Sequence, residues 1–452
     1  MQSKIHLAQH VCRACRSSLP ARLALYLGIG AWLLYGDPFG LASNSDQAFS
    51  EAYQRVSARM TGVPIPPVSV VTINLDDIRE LHKAHRLQSN DWPLTYNDHA
   101  TILAQVLAPD APGTTAPAAV FYDIHLQDYR NLSGSLDRLK RLTHRIAEDE
   151  RLPTLLLAAG GVDTPMSQRM RETLPVSQLT PSNWRGRSTD YALATPLKAN
   201  ASPRDSGALG LYRQWAQIAG MPPLHTASDE HMAIQWRLSD RCVARGIFER
   251  TSELLHYSVS QLFSSALGPS LSNMLGIDLP AEADASCLPF HQITLRNLVA
   301  SRGADLPPPG AASYVVMVGV DDYNLGDFRD IPVYSQLAGI FTHAMAFENL
   351  FRMQQGYLRY EDMTWMAMLA WIITIALIMR SPPTFERNNN ALLRSLAWFT
   401  FTATSVALTH HVFHTRLNLV PEGWLPLLAI APLAREIIAR HEAHLKATQE
   451  LA

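Results

Sequence analysis

The sequence predicts an α/β domain with a mainly parallel sheet, set between one N-terminal and about three C-terminal transmembrane helices. Three observations carry that prediction. Short β-branched apolar runs alternate with helical patterns in the body of the chain, as βαβ units require. The apolar segments are concentrated at the two ends. Over 452 residues the mean hydropathy is -0.03 with 47% hydrophobic residues, too mild for a polytopic transporter and rich for a wholly water-facing protein.

The N-terminal apolar run is ARLALYLGIGAWLLYG, Ala21 to Gly36. Lys4, Arg13, Arg16 and Arg22 stand before or at its start, and no acid precedes Asp37. The positive-inside rule therefore expects residues 1–20 in the cytoplasm and residues 21–36 across the membrane. A cleaved signal peptide is the alternative. The stretch HVCRACR holds His10, Cys12 and Cys15, but a structural zinc site needs four ligands. Unpaired or lipidated thiols are expected there.

Four strands follow in the body: VSVVTINL (Val68 to Leu75), AAVFYDI (Ala118 to Ile124), PTLLLAA (Pro153 to Ala159) and SYVVMVGV (Ser313 to Val320). Their nearly continuous apolar character is that of parallel strands buried on both faces. Helical patterns run from Asn97 to Leu107 and from Ser133 to Asp149. Between Thr164 and Pro309 the periodicity weakens, and an insertion is expected with helices at Ala208 to Gly220 and Glu249 to Leu267.

The segment 363–380, MTWMAMLAWIITIALIMR, reaches the lower limit for spanning a bilayer. The loop with Arg380 and Arg394 is then cytoplasmic, and a further span covers 395–413. His410 and His411, near its outer end, read as hydrated structural imidazoles against the alternative of a proton or metal site. The weaker segment 424–438 contains Pro426 and Pro432 and has three options: to span, to re-enter, or to lie in the interface. A span is expected, which returns residues 439–452 to the cytoplasm. Everything in 37–361 is then external. Cys242 and Cys287 are the two cysteines of that segment, so a disulfide between them is expected.

Strand ends gather acids. The first leads to Asp76 and Asp77, the second to Asp123, His125 and Asp128, and the last to Asp321 and Asp322 with Asp327 beyond. In an open α/β sheet, ligands bind in the crevice outside the carboxyl ends of the strands. Three readings remain open: a metal or phosphoryl site, a ligand-sensing pocket, and plain capping of the helices that follow. No G-x-S-x-G elbow, H-E-x-x-H, P-loop or G-x-G-x-x-G accompanies the acids, so no catalytic residue, metal or cofactor is assigned. The net charge of -2, with no basic run, speaks against nucleic acid as a partner.

The succession VVTINLDD, WPLTYNDHATILAQVL, FYDIHLQD, YVVMVGVDDYNLGD and AGIFTHAMAFENLF resembles the extracellular sensor domain of the second CHASE type, found with cyclases and histidine kinases. The matching positions are Asp76, Asp77, Trp92, Pro93, His99, Phe121, Asp123, Ile124, Asp321, Asp327, Gly339, His343, Ala344, Asn349 and Leu350. Two departures stand out: Tyr122 is inserted between Phe121 and Asp123, and Ala338 replaces the proline before Gly339. The resemblance covers roughly residues 37 to 361, and the one-plus-three arrangement of spans is similar too.

What the resemblance implies is a sensor anchored in a bacterial inner membrane, with its large domain on the periplasmic side. Asp76, Asp77, Asp123, His125, Asp128, Asp321, Asp327 and His343 are its ligand-binding or structural candidates. After the last apolar segment only a charged helix is expected, so the output is expected from a separate protein partner. Membrane lipid and a second copy of the chain are the other expected partners. A structural or assembly subunit of an envelope complex is the competing class, and a periplasmic hydrolase the third.

Overall fold

The computed structural model describes residues 19–37, 41–60, 62–127, 135–182, 189–226, 230–243, 282–325, 327–380, 408 and 410–422. Helices α1 (Leu19–Tyr35) and α2 (Leu41–Met60) precede strand β1 (Val68–Ile73). Then come α3 (Leu75–Lys83), α4 (Tyr96–Leu107), β2 (Ala119–Asp123), α5 (Ser135–Glu148), β3 (Thr154–Ala158), α6 (Gln168–Thr173) and β4 (Leu179–Thr180). Short strands β5 (Asp190–Ala192), β6 (Ala194–Thr195), β7 (Arg204–Asp205) and β8 (His231–Ala233) accompany α7 (Gly207–Ile218). The chain continues through β9 (His291–Thr294), α8 (Leu295–Ala300), β10 (Val315–Val320), β11 (Phe328–Asp330), β12 (Gln336–Ala338) and α9 (Gly339–Met353). It proceeds to β13 (Arg359–Asp362), α10 (Thr364–Arg380) and β14 (Leu419–Glu422). Two compact units result: Ala52–Tyr357, and Met1–Glu51 with Leu358–Ala452.

The unit Ala52–Tyr357 is built on a parallel sheet in the order β4-β3-β2-β10-β1-β9. The pleat sends alternate residues to opposite faces, and both faces are apolar. Val68, Val70, Phe121, Val315 and Met317 pack with α7 and α9 on one side. Val71, Ile73, Val120, Tyr122, Val316 and Val318 pack with α3, α4, α5 and α8 on the other. This is the three-layer α/β arrangement with a mainly parallel sheet that the alternating runs imply. The last strand of the sheet, β10, is inserted between β1 and β2, which brings the ends of strands distant in sequence side by side.

Two details differ from the sequence reading. Asp76 and Asp77 do not end a strand: β1 stops at Ile73, and Asn74 caps α3 by accepting a hydrogen bond from the Asp77 amide at 2.7 Å. The insertion after Thr164 supplies β4, β9 and α8 to the main sheet and its cover, so it is part of the core. The expected helix at Glu249 to Leu267 lies outside the described residues.

Cys242 and Cys287 are joined by a disulfide with a Cα separation of 5.6 Å. It closes a loop of 45 residues beside Ser239, whose amide bonds to the Cys287 carbonyl at 2.8 Å.

In the second unit, α1 and α10 are each 17 residues long and lie against each other. Trp371 Nε1 donates to the Tyr26 carbonyl at 3.1 Å, and a Cβ at Gly30 would meet that indole nitrogen at 2.0 Å. Only glycine admits this approach. Strands β13 and β14 pair in parallel. Among the described residues no helix is long and apolar enough to cross a membrane. Most of the expected span 395–413, all of 424–438 and the tail, and the HVCRACR stretch lie outside the described residues. A π-helical turn at Phe413–Leu417, which starts at the end of 395–413, leads into β14.

Candidate functional site

A cavity of about 320 Å³ opens at the carboxyl ends of β10, β2, β3 and β4. Its lining follows from the strand order. Val320 ends β10; Asp123, Ile124 and His125 follow β2; Gly160 and Thr164 follow β3; Ser182 follows β4. The β11 segment adds Asp327 and Arg329, and the first turns of α9 add Gly339, Thr342 and His343. Thr164 and Asp327 are exposed at the mouth, whereas Asp123, Thr342 and His343 lie deep.

Trp92 completes the lining and is held in place by a buried anion. Asp98, in the first turn of α4, accepts hydrogen bonds from the Gln88 and Ser89 amides at 2.8 and 2.9 Å and from the Ser89 and Thr95 hydroxyls at 2.6 and 2.8 Å. Burial works against its charge, but these donors bring its pKa below the usual value. The loop carrying Trp92 is thereby pinned. Behind it His99 Nδ1 lies 2.7 Å from the Tyr122 hydroxyl, and burial pushes that imidazole down to about 4. The residue inserted between Phe121 and Asp123 thus faces the opposite side of the sheet and ties β2 to α4.

The floor is a chain of polar contacts. The Ala208 amide donates to the Tyr191 hydroxyl at 3.1 Å, and that hydroxyl lies 2.6 Å from His343 Nδ1. The tyrosine oxygen thus accepts from Ala208 and shares a single proton with Nδ1 of His343. Nε2 faces Asp123 Oδ2 at 3.6 Å. The Phe121 ring stands against the imidazole with centroids 4.8 Å apart. Burial, and secondarily the charge of Arg329, push His343 down to about 3, so it is neutral. Burial and then Asp327 push Asp123 well above the usual carboxylate range, and Arg329 opposes the rise. Asp327 is also raised by desolvation, again opposed by Arg329.

Glycines shape two walls. Gly160 has φ +72°, and a Cβ there would meet the Thr164 carbonyl at 2.0 Å and the His125 ring at 2.8 Å. At Gly339 a Cβ would stand 2.6 Å from Asp327 Oδ2, while the Gly339 amide donates to the Asp327 carbonyl at 2.8 Å. The Asp327 carboxyl therefore sits at the N-terminus of α9, where a helix favours negative charge.

Of the eight residues singled out in the sequence, Asp123, His125, Asp327 and His343 come together in this cavity. The other described ones go elsewhere. Asp76 is exposed and pairs with Arg79 at 3.7 Å. Asp77 is buried against α8, where it accepts from the Arg296 amide at 3.3 Å and faces its guanidinium at 3.8 Å. The Asp321 amide donates to the Ile73 carbonyl at 2.9 Å, linking β10 to the end of β1, and burial raises its carboxyl. Asp128 lies outside the described residues. Sequence reasoning did not find Tyr191, Arg329 or Thr342. Arg329 stands two residues after Asp327, a same-face spacing that was a usable signal; Tyr191 and Thr342 had none. Among the described residues no group of three His, Cys, Asp or Glu side chains is placed to hold a metal ion.

A parallel α/β sheet with a polar cavity at its carboxyl edge is of the class that binds ligands at that edge. Residues 25–379 match the CHASE2 domain, and the chain belongs to that family. The match is wider than the segment 37–361 and takes in most of α1 and α10. No curated protein and no solved structure matches the chain.

Proposed function

We propose that the protein is a membrane-anchored extracytoplasmic sensor, which receives an external signal in the strand-end cavity and passes it to a separate partner protein. The observation that carries this reading is the cavity itself. It places two carboxyl groups, a guanidinium and an imidazole (Asp123, Asp327, Arg329 and His343) where open α/β sheets bind ligands.

Anchoring is supported by the apolar helices. At about 1.5 Å per residue, 17 residues cover roughly 26 Å against a hydrocarbon layer of about 30 Å, within the range that local thinning accommodates. Leu23, Leu25, Ile29 and Trp32 on α1, and Trp365, Leu369, Ile372 and Ile373 on α10, are exposed in the isolated chain and suited to lipid. Transmission is supported by connectivity. Helix α9 lines the cavity with its first turns and ends at Met353, and α10 begins at Thr364. A displacement of α9 has a short covalent route to an apolar helix.

Copurification from mild detergent tests the reading. A kinase or cyclase in the eluate is the expected result; an envelope-assembly complex without either contradicts it.

A further inference from the structure

We propose that the cavity takes a small organic cation, a primary ammonium compound, whose charge is received by Asp123. The inference rests on the sensor reading of the cavity and adds the class of ligand. About 320 Å³ is at the small end of ligand pockets, which limits the ligand to a compact molecule.

The charges lining the cavity decide its sign. Two carboxyl groups, Asp123 and Asp327, face one guanidinium, Arg329. His343 is held neutral between Tyr191 and Asp123, and His125 packs on Gly160. Asp327 sits at the N-terminus of α9, so the positive end of that helix already faces an anion. Asp123 is different. Its side chain is 11% exposed, and its contact with His343 Nε2, at 3.6 Å, is longer than a hydrogen bond. An incoming anion would meet two carboxyl groups. An incoming ammonium group can instead take the place of the Asp123 proton, which leaves the charge of the cavity unchanged.

A second observation is independent of the acids. Thr342 lines the same cavity, is 3% exposed, and its Oγ1 has no hydrogen-bond partner. A buried hydroxyl left in this state is disfavoured, and a donor on a ligand would relieve that cost. An ammonium group brings three donors, and the Trp92 indole in the same wall is the aromatic side chain best suited to a cation.

The proton balance is simple. Burial and the neighbouring Asp327 favour the protonated Asp123, and Arg329 opposes them. As the ammonium group arrives, the Asp123 O–H releases its proton to solvent and the resulting carboxylate accepts an N–H. Binding therefore weakens as the pH falls, with Asp327, Arg329, His125, His343 and Tyr191 as the titratable or charged groups around the site.

The test uses the full chain in detergent and three probes of matched size: n-butylammonium chloride, n-butanol and sodium butyrate, at equal ionic strength. Calorimetric titration and thermal shift should show binding of butylammonium alone, with proton release and with affinity falling from about pH 7 to about pH 5. Asp123→Asn should weaken it roughly tenfold or more, and Thr342→Val roughly threefold. The proton release and pH dependence of the unmodified chain need no variant to fold. Equal binding of butyrate or butanol, undiminished binding in Asp123→Asn, or binding of none of the three overturns the proposal. The sensor reading survives any of these outcomes if a kinase or cyclase still copurifies.

Discussion

At the residue scale, His343 and Asp123 respond to pH in opposite directions. The His343 imidazole is held at about 3 in the folded protein against an ordinary 6.5. Its contribution to stability is present above about pH 6.5 and is lost as the pH falls toward 3. Asp123 is raised well above 3.8, so its contribution is present below that value and is lost as the pH rises through the folded pKa. Asp123→Asn should therefore gain stability relative to the unmodified protein between about pH 5 and about pH 8, as read by urea unfolding at both values. His343→Gln should lose less relative stability at about pH 4 than at about pH 7. A constant difference across pH for either variant contradicts the assignment. Gly339→Ala is a steric case: its Cβ would meet Asp327 Oδ2 at 2.6 Å, so that exposed carboxyl must move, and a cost of at most about 1 kcal/mol is expected. Asp327→Ala in the same chain should relieve it, and a double-mutant cycle without coupling would show that the two do not touch.

At the element scale, α9 is fixed by its far end. Asn349 Oδ1 accepts from the Gln235 amide at 2.7 Å, and its Nδ2 donates to the Gln235 carbonyl at 3.0 Å. Beside it the fully buried Glu348 is hydrogen-bonded to Arg352 and faces Arg237 at 3.9 Å. Asn349→Ala should cost about 1–3 kcal/mol for each stranded Gln235 group, whereas Asp76→Ala, at an exposed position, should stay within about 0.5 kcal/mol. Thermal unfolding of the two variants checks the contrast. The same elements show what the sequence made legible. β1, β2, β3 and β10 are apolar on both faces, and such runs announce themselves. β4 through β9 are two to four residues long, and β9 reads His-Gln-Ile-Thr, so no apolar run marks them. Asp123, His125, Asp327 and His343 could be named because a strand end or a family motif points at them. Tyr191 reaches His343 across 152 residues of chain, and nothing local to its sequence records that contact. Asp77 misled for a related reason: α3 begins directly after Asn74 and turns that carboxyl toward α8.

At the scale of the whole molecule, the disulfide and the apolar helices belong to one argument about compartment. A bond closing 45 residues contributes about 4 kcal/mol in the chain-entropy account, and such bonds persist outside the reducing cytoplasm. Replacing both Cys242 and Cys287 by Ser should lower the unfolding free energy by about that amount, and no change would show that the loop is held by other contacts. The central claim is that the unit with the cavity faces the outside while α1 and α10 hold it to the membrane. Reporter fusions test this most directly. Gly310 lies in an exposed turn at φ +79° within that unit, and Asn389 follows α10 in the sequence. Alkaline phosphatase joined at Gly310 should be active, and the same enzyme joined at Asn389 should be inactive. Activity at Asn389 with none at Gly310 would place the cavity in the cytoplasm and contradict the account.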